Sequence, residues 1–204
     1  MYSQIGQDKW VLENLNFKKF GFFVEAGACD GIFLSNTYLL EKQYHWNGIC
    51  AEPNPFYFKD LLKNRNCFST DLCLFSESNK ELLFSFDEGL GGIVDFFNEP
   101  SRQGRRLAAA KNIVKTISLN DLLEKFNAPK DVDYISLDTE GTELEILNSF
   151  NFDKYNVKMF TIEHNIEFRS DREKYLENLI ELFKAKGYSE QIVQHDVWFK
   201  KIPK

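Results

Sequence analysis

Short apolar runs alternate with amphipathic segments through most of the chain, and this alternation predicts its elements. The apolar runs predict β-strands at residues 22–27, 48–53, 67–75, 134–140 and 159–165. The amphipathic segments between them predict helices at residues 35–44, 56–65 and 142–150. Strands that are apolar on both faces and alternate with helices are typical of a parallel sheet covered by helices.

The C-terminal end departs from this alternation. The pattern predicts a long amphipathic helix at 171–187, followed by strands at 188–193 and 197–201 that only three residues separate. A connection this short permits an antiparallel hairpin but not a crossover between parallel strands. The sequence therefore predicts a mostly parallel sheet with one reversed strand near its edge.

The middle of the chain is less regular. An added strand pair is predicted at residues 76–86, and a strand leading into a helix at 115–126. The segment 87–111 joins several glycines to three arginines, which suits either a lid over the strand ends or a solvated helix face. Since no linker or repeat is visible, residues 1–204 are expected to form one α/β domain, which is either the whole protein or one domain of a longer one.

The composition of the chain limits the kinds of partner that it is expected to bind. The 204 residues are 43% hydrophobic, enough for one large core, and the chain has a net charge of -6 and a pI of about 5.2. An acidic chain is poorly suited to nucleic acid or to an anionic membrane surface, so neither is expected as a partner. No apolar run is long enough to span a membrane, and the 4 cysteines form no C-x-x-C pair. We therefore expect a soluble, cytoplasmic protein with reduced cysteines.

A glycine turn follows the first predicted strand. In FFVEAGACDGIFLSNT, residues 22–37, Gly27 can adopt backbone angles closed to other residues, and Gly31 removes a side chain from the turn. Glu52 ends the second strand, where a carboxylate can accept hydrogen bonds from both hydroxyls of a ribose, and Pro53 prevents an immediate helix there. Because ligands of open parallel sheets bind at the carboxyl ends of the strands, this pattern predicts an adenosine-type ligand. The alternative is a tight strand-to-helix connection without a ligand.

The charge around the turn distinguishes two kinds of adenosine ligand. Ala28 and Cys29 stand where the dinucleotide fingerprint has its middle glycine, and Glu25 and Asp30 would repel a pyrophosphate. Two carboxylates instead suit a ligand with a positive sulfonium and ammonium, namely S-adenosylmethionine. Two alternatives stay open, a NAD-dependent oxidoreductase on a Rossmann-like sheet and a non-catalytic domain that only binds an adenosine ligand.

An ordered set of motifs resembles the FkbM-type S-adenosylmethionine-dependent methyltransferases. The set spans most of residues 3–165 and comprises SQIGQD, EAGACDGIFLSNT, WNGICAEPNPFYFKDLLKNR, TISLNDLL, YISLDTEGTELEIL and FTIEHN. The resemblance implies a Rossmann-like class I methyltransferase sheet of seven strands, mostly parallel, with an antiparallel C-terminal hairpin strand and helices on both faces. It also implies O-methylation of a small molecule, often at a sugar or polyketide hydroxyl.

The resemblance also implies a cofactor pocket in this sequence. Its residues would be Glu25, Gly27, Ala28, Asp30, Gly31, Asn36, Glu52, Pro53, Asp71 and Leu72. The glycine turn would surround the methionine part and Asn36 would close it. Glu52 would hold the ribose, while Asp71 and Leu72 would lie near the adenine. Glu25 and Cys29 stand where the family commonly has aspartate and asparagine; the first change keeps the charge, and the second makes the Cys29 side chain a weak candidate.

Candidate catalytic residues gather at the ends of two later strands. Methyl transfer to an alcohol needs a nearby base, or a metal that lowers the pKa of the hydroxyl. Asp138 and Glu140 alternate along one strand end, and His164 ends the next strand, where an imidazole can take a proton at neutral pH. Asp138, Glu163 and His164 also form an oxygen-rich set suited to Mg²⁺ or Mn²⁺. We therefore predict Asp138, Glu140 and His164 as catalytic, with general-base or metal assistance.

These inferences predict an S-adenosylmethionine-dependent O-methyltransferase that acts on a sugar. The acceptor hydroxyl would belong either to the end of a glycan or to a sugar nucleotide. An uncharged sugar is compatible with an acidic protein, and open loops with aromatic side chains suit a glycan end. The protein must align the acceptor oxygen with the methyl and the sulfur for an in-line displacement.

Overall fold

A computed structural model describes residues 2–87, 89–96, 104, 108–164 and 171–203 of the chain. Its helices are α1 (Gln7–Asn14), α2 (Tyr38–Tyr44), α3 (Pro55–Asn64), α4 (Leu119–Lys125), α5 (Glu143–Ser149) and α6 (Arg172–Ala185). Its strands are β1 (Phe22–Ala26), β2 (Asn47–Ala51), β3 (Phe68–Thr70), β4 (Cys73–Phe75), β5 (Glu81–Ser85), β6 (Gly92–Ile93), β7 (Lys111–Ser118), β8 (Asp131–Leu137), β9 (Asn156–Glu163), β10 (Tyr188–Val193) and β11 (Asp196–Lys201). Residues 88, 97–103 and 105–107 of the predicted lid at 87–111, which include its three arginines, lie outside the described residues.

The main sheet has seven strands in the order β10-β11-β9-β8-β1-β2-β3. β1 pairs in parallel with β2 and β8, and the parallel pairing continues to β3 on one side and to β9 on the other. β11 runs antiparallel to both β9 and β10, because the tight turn after β10 reverses the chain. The predicted fold class and the single reversed strand near the edge are confirmed.

A second sheet of four strands, in the order β4-β7-β5-β6, corrects two sequence predictions. The predicted strand 67–75 is wrong as a single element, since β3 ends at Thr70 and β4 pairs with β7 instead. The Thr70 hydroxyl accepts a hydrogen bond from the Leu72 N–H, which stabilises the break between them. The predicted strand pair at 76–86 is one strand, β5, antiparallel to β7. The predicted strand leading into a helix is confirmed as β7 and α4.

Helices cover both faces of the main sheet, because alternate strand residues point to opposite sides. On one face Val24 and Ile135 belong to a cluster with side chains from α4, α5 and α6. On the other face Phe23 and Tyr134, their chain neighbours, pack with side chains from α1, α2 and α3. No helix among the described residues is long and apolar enough to cross a membrane.

The strand directions bring several chain segments to one edge of the main sheet. Since β1, β2, β8 and β9 are parallel, the residues that follow them share this edge. The reversed β11 begins there, with Asp196 opposite Glu163 at the end of β9. Five strands can therefore contribute residues to a site at this edge.

Candidate active site

The ends of β1 and β8 meet closely at Gly27. Its backbone has φ +80°, and a Cβ placed on it would lie 2.0 Å from the Asp138 carbonyl oxygen. The Gly27 N–H donates to the Ala51 carbonyl at 3.0 Å, and the Asp138 N–H donates to the Ala26 carbonyl at 3.2 Å. Glycine is therefore required here by the approach of another strand end, in addition to its positive φ.

Two adjoining clefts open at this edge. The first lies between the ends of β1, β2 and β8 and the four-stranded sheet, and its lining includes Glu52, Pro53, Asn54, Cys73, Leu74 and Phe84. The second extends toward the N-terminal segment and β9, and its lining includes Gln4, Gln7, Asp30, Phe33, Asn36, Glu163 and Asp196. Gly27, Cys29 and Tyr57 line both clefts, as do Gly89 and Asp138. One elongated ligand can therefore extend from the first cleft into the second.

Glu52 lies buried at the base of the first cleft. One carboxylate oxygen accepts from the Cys29 N–H at 2.9 Å and the other from the Asn54 N–H at 2.8 Å. Burial raises the pKa of Glu52 to about 7, although these two backbone donors act in the opposite direction. A carboxylate can accept about four hydrogen bonds, so each oxygen keeps capacity for a ligand hydroxyl. This geometry fits the two hydroxyls of a ribose.

Asn36 offers a complementary group in the second cleft. Its side-chain N–H donates to the Ser136 hydroxyl at 2.9 Å, but no donor among the described residues reaches its buried Oδ1. A buried acceptor without a donor costs free energy that a ligand donor can recover. Together with the Asp30 carboxylate in the same lining, this atom fits the ammonium group of a methionine moiety.

Three carboxyl groups meet where the clefts join. One oxygen each from Asp138, Glu140 and Glu163 lies within 4.8 Å of the others. Burial is the largest cause that raises the pKa of Asp138 and of Glu163, and the two side chains share a hydrogen bond. Two carboxyl groups can share a hydrogen bond only when one of them holds a proton. The cluster can therefore hold a proton near neutral pH and accept another.

The structure brings together two of the three predicted catalytic residues. Asp138 and Glu140 line the first cleft, whereas His164 is 2% exposed and lines neither cleft. Burial lowers the pKa of His164 to about 4. The predicted metal set Asp138, Glu163 and His164 is likewise separated, because Glu163 faces the second cleft while His164 does not line it.

Six of the predicted cofactor residues line the clefts, and four do not. Those in the lining are Gly27, Ala28, Asp30, Asn36, Glu52 and Pro53. Glu25 and Gly31 are instead packed inside the protein: the Glu25 carboxylate accepts from Thr37 and Asn36, and a Cβ on Gly31 would lie 2.7 Å from Leu61. Glycine at position 31 thus serves packing against α3.

Asp71 and Leu72, which were predicted to lie near the adenine, line neither cleft. Asp71 is exposed, and Leu72 packs against the core cluster that carries α4, α5 and α6. Cys73 and Leu74 line the first cleft in their place. The break between β3 and β4 causes the shift, because it turns the chain into the small sheet after Thr70.

Sequence reasoning missed Asp196 in the second cleft. Its Oδ2 accepts from the Gln7 side chain at 2.9 Å and from the Trp198 indole N–H at 3.0 Å. Burial raises the pKa of Asp196 despite these donors. The predicted hairpin contained the necessary signal, since a strand that reverses beside β9 must begin next to the end of β9.

Comparisons with known proteins identify a protein family and solved structures to which this chain is similar. A protein-family model described as "Methyltransferase FkbM domain" matches residues 25–190. The precorrin-6y C5,15-methyltransferase from Geobacter metallireducens GS-15 is 12% identical with a TM-score of 0.51, over 94% of this chain and 84% of that chain. The METTL16 MTase domain is 12% identical with a TM-score of 0.52, over 96% of this chain and 66% of that chain. These structures establish a shared fold, and no curated protein matches the chain.

Proposed function

The chain belongs to the FkbM methyltransferase family, and we propose that it transfers a methyl group from S-adenosylmethionine to a sugar hydroxyl. One observation carries this proposal: two joined clefts offer the Glu52 carboxylate at one end and the orphaned Asn36 oxygen at the other. The first group suits a ribose and the second an ammonium, with the carboxyl cluster between them. The arrangement matches an elongated, cationic adenosine derivative.

In this proposal the cofactor lies across both clefts. Glu52, Pro53, Cys73 and Leu74 would hold the adenosine part, and Gly27, Ala28, Asp30 and Asn36 the methionine part. When bound, S-adenosylmethionine supplies an electrophilic methyl group on a positive sulfur. The carboxylates that line the clefts would stabilise that positive charge, since opposite charges attract.

The carboxyl cluster supplies the proton acceptor. An alcohol loses its proton readily only to a positioned base whose pKa lies near the working pH. The pKa of Asp138, which burial raises to about 7, meets that requirement, and Glu140 and Glu163 lie within reach of it. His164, which lines neither cleft, would act only through a neighbouring group.

Chemistry at the rim supports a sugar as the acceptor. The second cleft combines amide groups from Gln4 and Gln7 with the aromatic rings of Phe33 and Tyr57. Small-molecule sites typically join apolar and aromatic surface to a few polar groups that fix orientation. A sugar has both an apolar ring face and hydroxyl groups, so it fits this lining.

The direct test is incubation of the protein with S-adenosylmethionine and a panel of hexose and deoxyhexose glycosides and sugar nucleotides. Parallel reactions contain Mg²⁺, Mn²⁺ or a chelator, and products are read by mass. We expect one added methyl group on a sugar oxygen; the chelator arm reports whether the oxygen cluster needs a divalent metal. If none of these sugars is methylated in any of the reactions, the proposed substrate is contradicted.

Amino-acid substitutions test which residue acts as the general base. Asp138→Asn should reduce turnover by about 10²-fold or more, because general-base catalysis contributes that much. Asp133→Asn is the matched control, since Asp133 is buried at the opposite end of the same strand β8 and should leave turnover unchanged. His164→Gln separates the two predicted bases. If His164→Gln abolishes turnover while Asp138→Asn retains it, the assignment to the carboxyl cluster is wrong.

A further inference from the structure

Arg65, the residue that follows α3, is the centre of a buried polar network. Its side chain is fully buried, with 0% exposure. Its guanidinium donates to five groups, namely Glu25 at 3.2 Å, the Gly31 carbonyl at 3.1 Å, Ser35 at 3.1 Å, Thr37 at 2.8 Å and Glu41 at 2.7 Å. Phe23 and Tyr38 place their rings 5.4 and 5.7 Å from the guanidinium carbon. The fixed fork of an arginine can satisfy this many acceptors at once.

Three of these five groups belong to the connection between β1 and α2, residues 27–37. The same connection supplies Gly27, Ala28, Asp30 and Asn36 to the linings of the clefts. Arg65 itself lines neither cleft, but Ser35, to which it donates, lines the second. Its contacts therefore help to fix the position of a segment that forms part of the site.

Glu25 extends this control to Asn36. One Glu25 oxygen accepts from the Asn36 N–H at 2.6 Å, and the other accepts from Arg65 and Thr37. The Asn36 backbone is thus held by a carboxylate that Arg65 neutralises. Its side chain carries the buried oxygen that has no donor among the described residues. A continuous chain of contacts joins Arg65 to the second cleft.

The network contains two buried carboxylates for one guanidinium. Burial raises the pKa of Glu41, but Arg65 and further donors outweigh it and lower the pKa to about 2. Removal of one partner from a buried ion pair leaves an uncompensated charge, which is far more costly than the pair itself is stabilising. Loss of Arg65 would leave Glu25 buried without its cation, and the connection would have to move to solvate it.

Gly31 shows how closely the connection is fitted to Arg65. A Cβ on Gly31 would lie 2.7 Å from the Arg65 Cγ and 2.7 Å from the Leu61 Cδ1. The backbone of the connection therefore packs directly on the arginine stem. A shorter or more mobile side chain at position 65 would leave both a cavity and unpaired acceptors beneath it.

We propose that Arg65 is a positioning residue for the cofactor: through Glu25 it holds residues 27–37 in the shape that binds the methionine part of S-adenosylmethionine. The inference rests on the proposed function, since it assumes that this cofactor occupies the joined clefts. Arg65 makes no contact with the ligand in this account. Its effect appears as ligand affinity rather than as chemistry.

Calorimetric titration with S-adenosylhomocysteine, the demethylated product, tests the proposal. Arg65→Met should raise the Kd about tenfold or more, the equivalent of one lost charge-assisted hydrogen bond. Arg65→Lys should raise it less, because a lysine restores the charge but not the fork. Glu25→Gln should weaken binding as well. The double variant Glu25→Gln with Arg65→Met should bind about as weakly as the poorer single variant, because both changes break one pair.

Asp133→Asn is the control for a purely structural effect. Asp133 is a buried carboxylate that pairs with Lys18 and Lys158 and accepts from the Phe22 N–H, so it stabilises the other end of β1. Its replacement should lower the melting temperature without changing the Kd. Every titration is made at a temperature where circular dichroism shows the variant fully folded. If Arg65→Met does not fold, Arg65→Lys and Glu25→Gln carry the test.

The outcomes distinguish failure of the positioning role from failure of the proposed cofactor. If the wild type binds S-adenosylhomocysteine and all folded Arg65 and Glu25 variants bind it within about twofold, the positioning role is overturned. An equal loss of affinity in Asp133→Asn would also overturn it, because a general loss of stability would then explain the result. If the wild type does not bind this ligand at all, the proposed cofactor is contradicted and the positioning role with it.

Discussion

At the residue scale, the raised pKa of Glu52 is the property that most directly affects cofactor binding. Its pKa of about 7 means that the carboxyl group changes charge within the physiological pH range. The charged form is favoured above that pH, and ribose hydroxyls that donate hydrogen bonds to the carboxylate stabilise the charged form. The affinity for S-adenosylmethionine should therefore fall as the pH is lowered from about 8 to about 6.

Glu52→Gln isolates this effect from the titration of the ligand itself. The variant should bind more weakly than the wild type at about pH 8, and its Kd should change less on acidification. Calorimetry at several pH values gives both curves. Parallel curves for the two proteins would contradict a titrating Glu52 in the cofactor cleft.

Gly27 provides a second residue-scale prediction. Gly27→Ala should destabilise the protein by several kcal/mol, since its Cβ would lie 2.0 Å from the Asp138 carbonyl oxygen. Gly187→Ala is a matched control: Gly187 has a similar φ of +81°, but nothing lies within 4 Å of the added Cβ. The control should cost only about 1 kcal/mol. Chemical denaturation measures both, and equal losses would mean that the clash is relieved by small backbone shifts.

The sequence predicted the strand-end residues near the clefts better than it predicted which of them line the clefts. Glu52, Asp138 and Glu140 were found because a carboxyl end of a parallel strand is recognisable from its pattern. Glu25 was predicted as a ligand contact but faces Arg65, which lies forty residues away in sequence. The order of residues shows where a charge lies along the chain, but only the folded structure shows which group neutralises it.

At the element scale, the last helix and the reversed strand are joined by aromatic packing. Phe183 of α6 stacks on Phe199 of β11 with ring centroids 3.7 Å apart, and both side chains are 0% exposed. Phe183→Ala should lower the free energy of unfolding by about 3 to 5 kcal/mol through lost burial and a cavity. Phe20→Ala, at a site that is 75% exposed, should cost less than about 0.5 kcal/mol.

Urea denaturation checks this pair of variants. A loss for Phe183→Ala no larger than that for Phe20→Ala would contradict the view that α6 and β11 share one core. The large expected difference rests on close-packed interiors, in which a removed ring leaves a space that neighbours refill only partly.

Most elements could be predicted because the spacing of their apolar residues corresponds to the faces that are buried in the structure. β1, β2, β8 and β9 are covered on both faces, so they appear in the sequence as runs rich in apolar residues. The segment 67–75 looked the same, yet it belongs to two sheets. The run of apolar residues is alike whichever sheet covers it, so the sequence pattern did not distinguish one long strand from two short ones.

At the scale of the whole molecule, the second cleft uses parts of the chain that lie outside the family match. The family match covers residues 25–190, which includes Glu52, Cys73 and Asp138 of the first cleft. Gln7 and Asp196 lie outside that range, and their hydrogen bond of 2.9 Å closes one side of the second cleft. The residues assigned to the cofactor thus lie within the family match, and Gln7 and Asp196 complete the second cleft from the two ends of the chain.

Ligand binding should stabilise the whole domain. A ligand that binds only the folded state adds about 2.7 kcal/mol at a free concentration of one hundred times its Kd. S-adenosylhomocysteine should therefore raise the melting temperature in a concentration-dependent way, and calorimetric and thermal estimates of the Kd should agree. A melting temperature that does not depend on this ligand would contradict binding to the native fold.

Titration of the wild-type protein with S-adenosylmethionine and with NAD, by calorimetry under identical conditions, tests the central claim most directly. The joined clefts, with carboxylates along both, predict saturable binding of S-adenosylmethionine at one site per chain and no binding of NAD, whose pyrophosphate the acidic lining repels. Saturable binding of NAD without binding of S-adenosylmethionine would contradict the account.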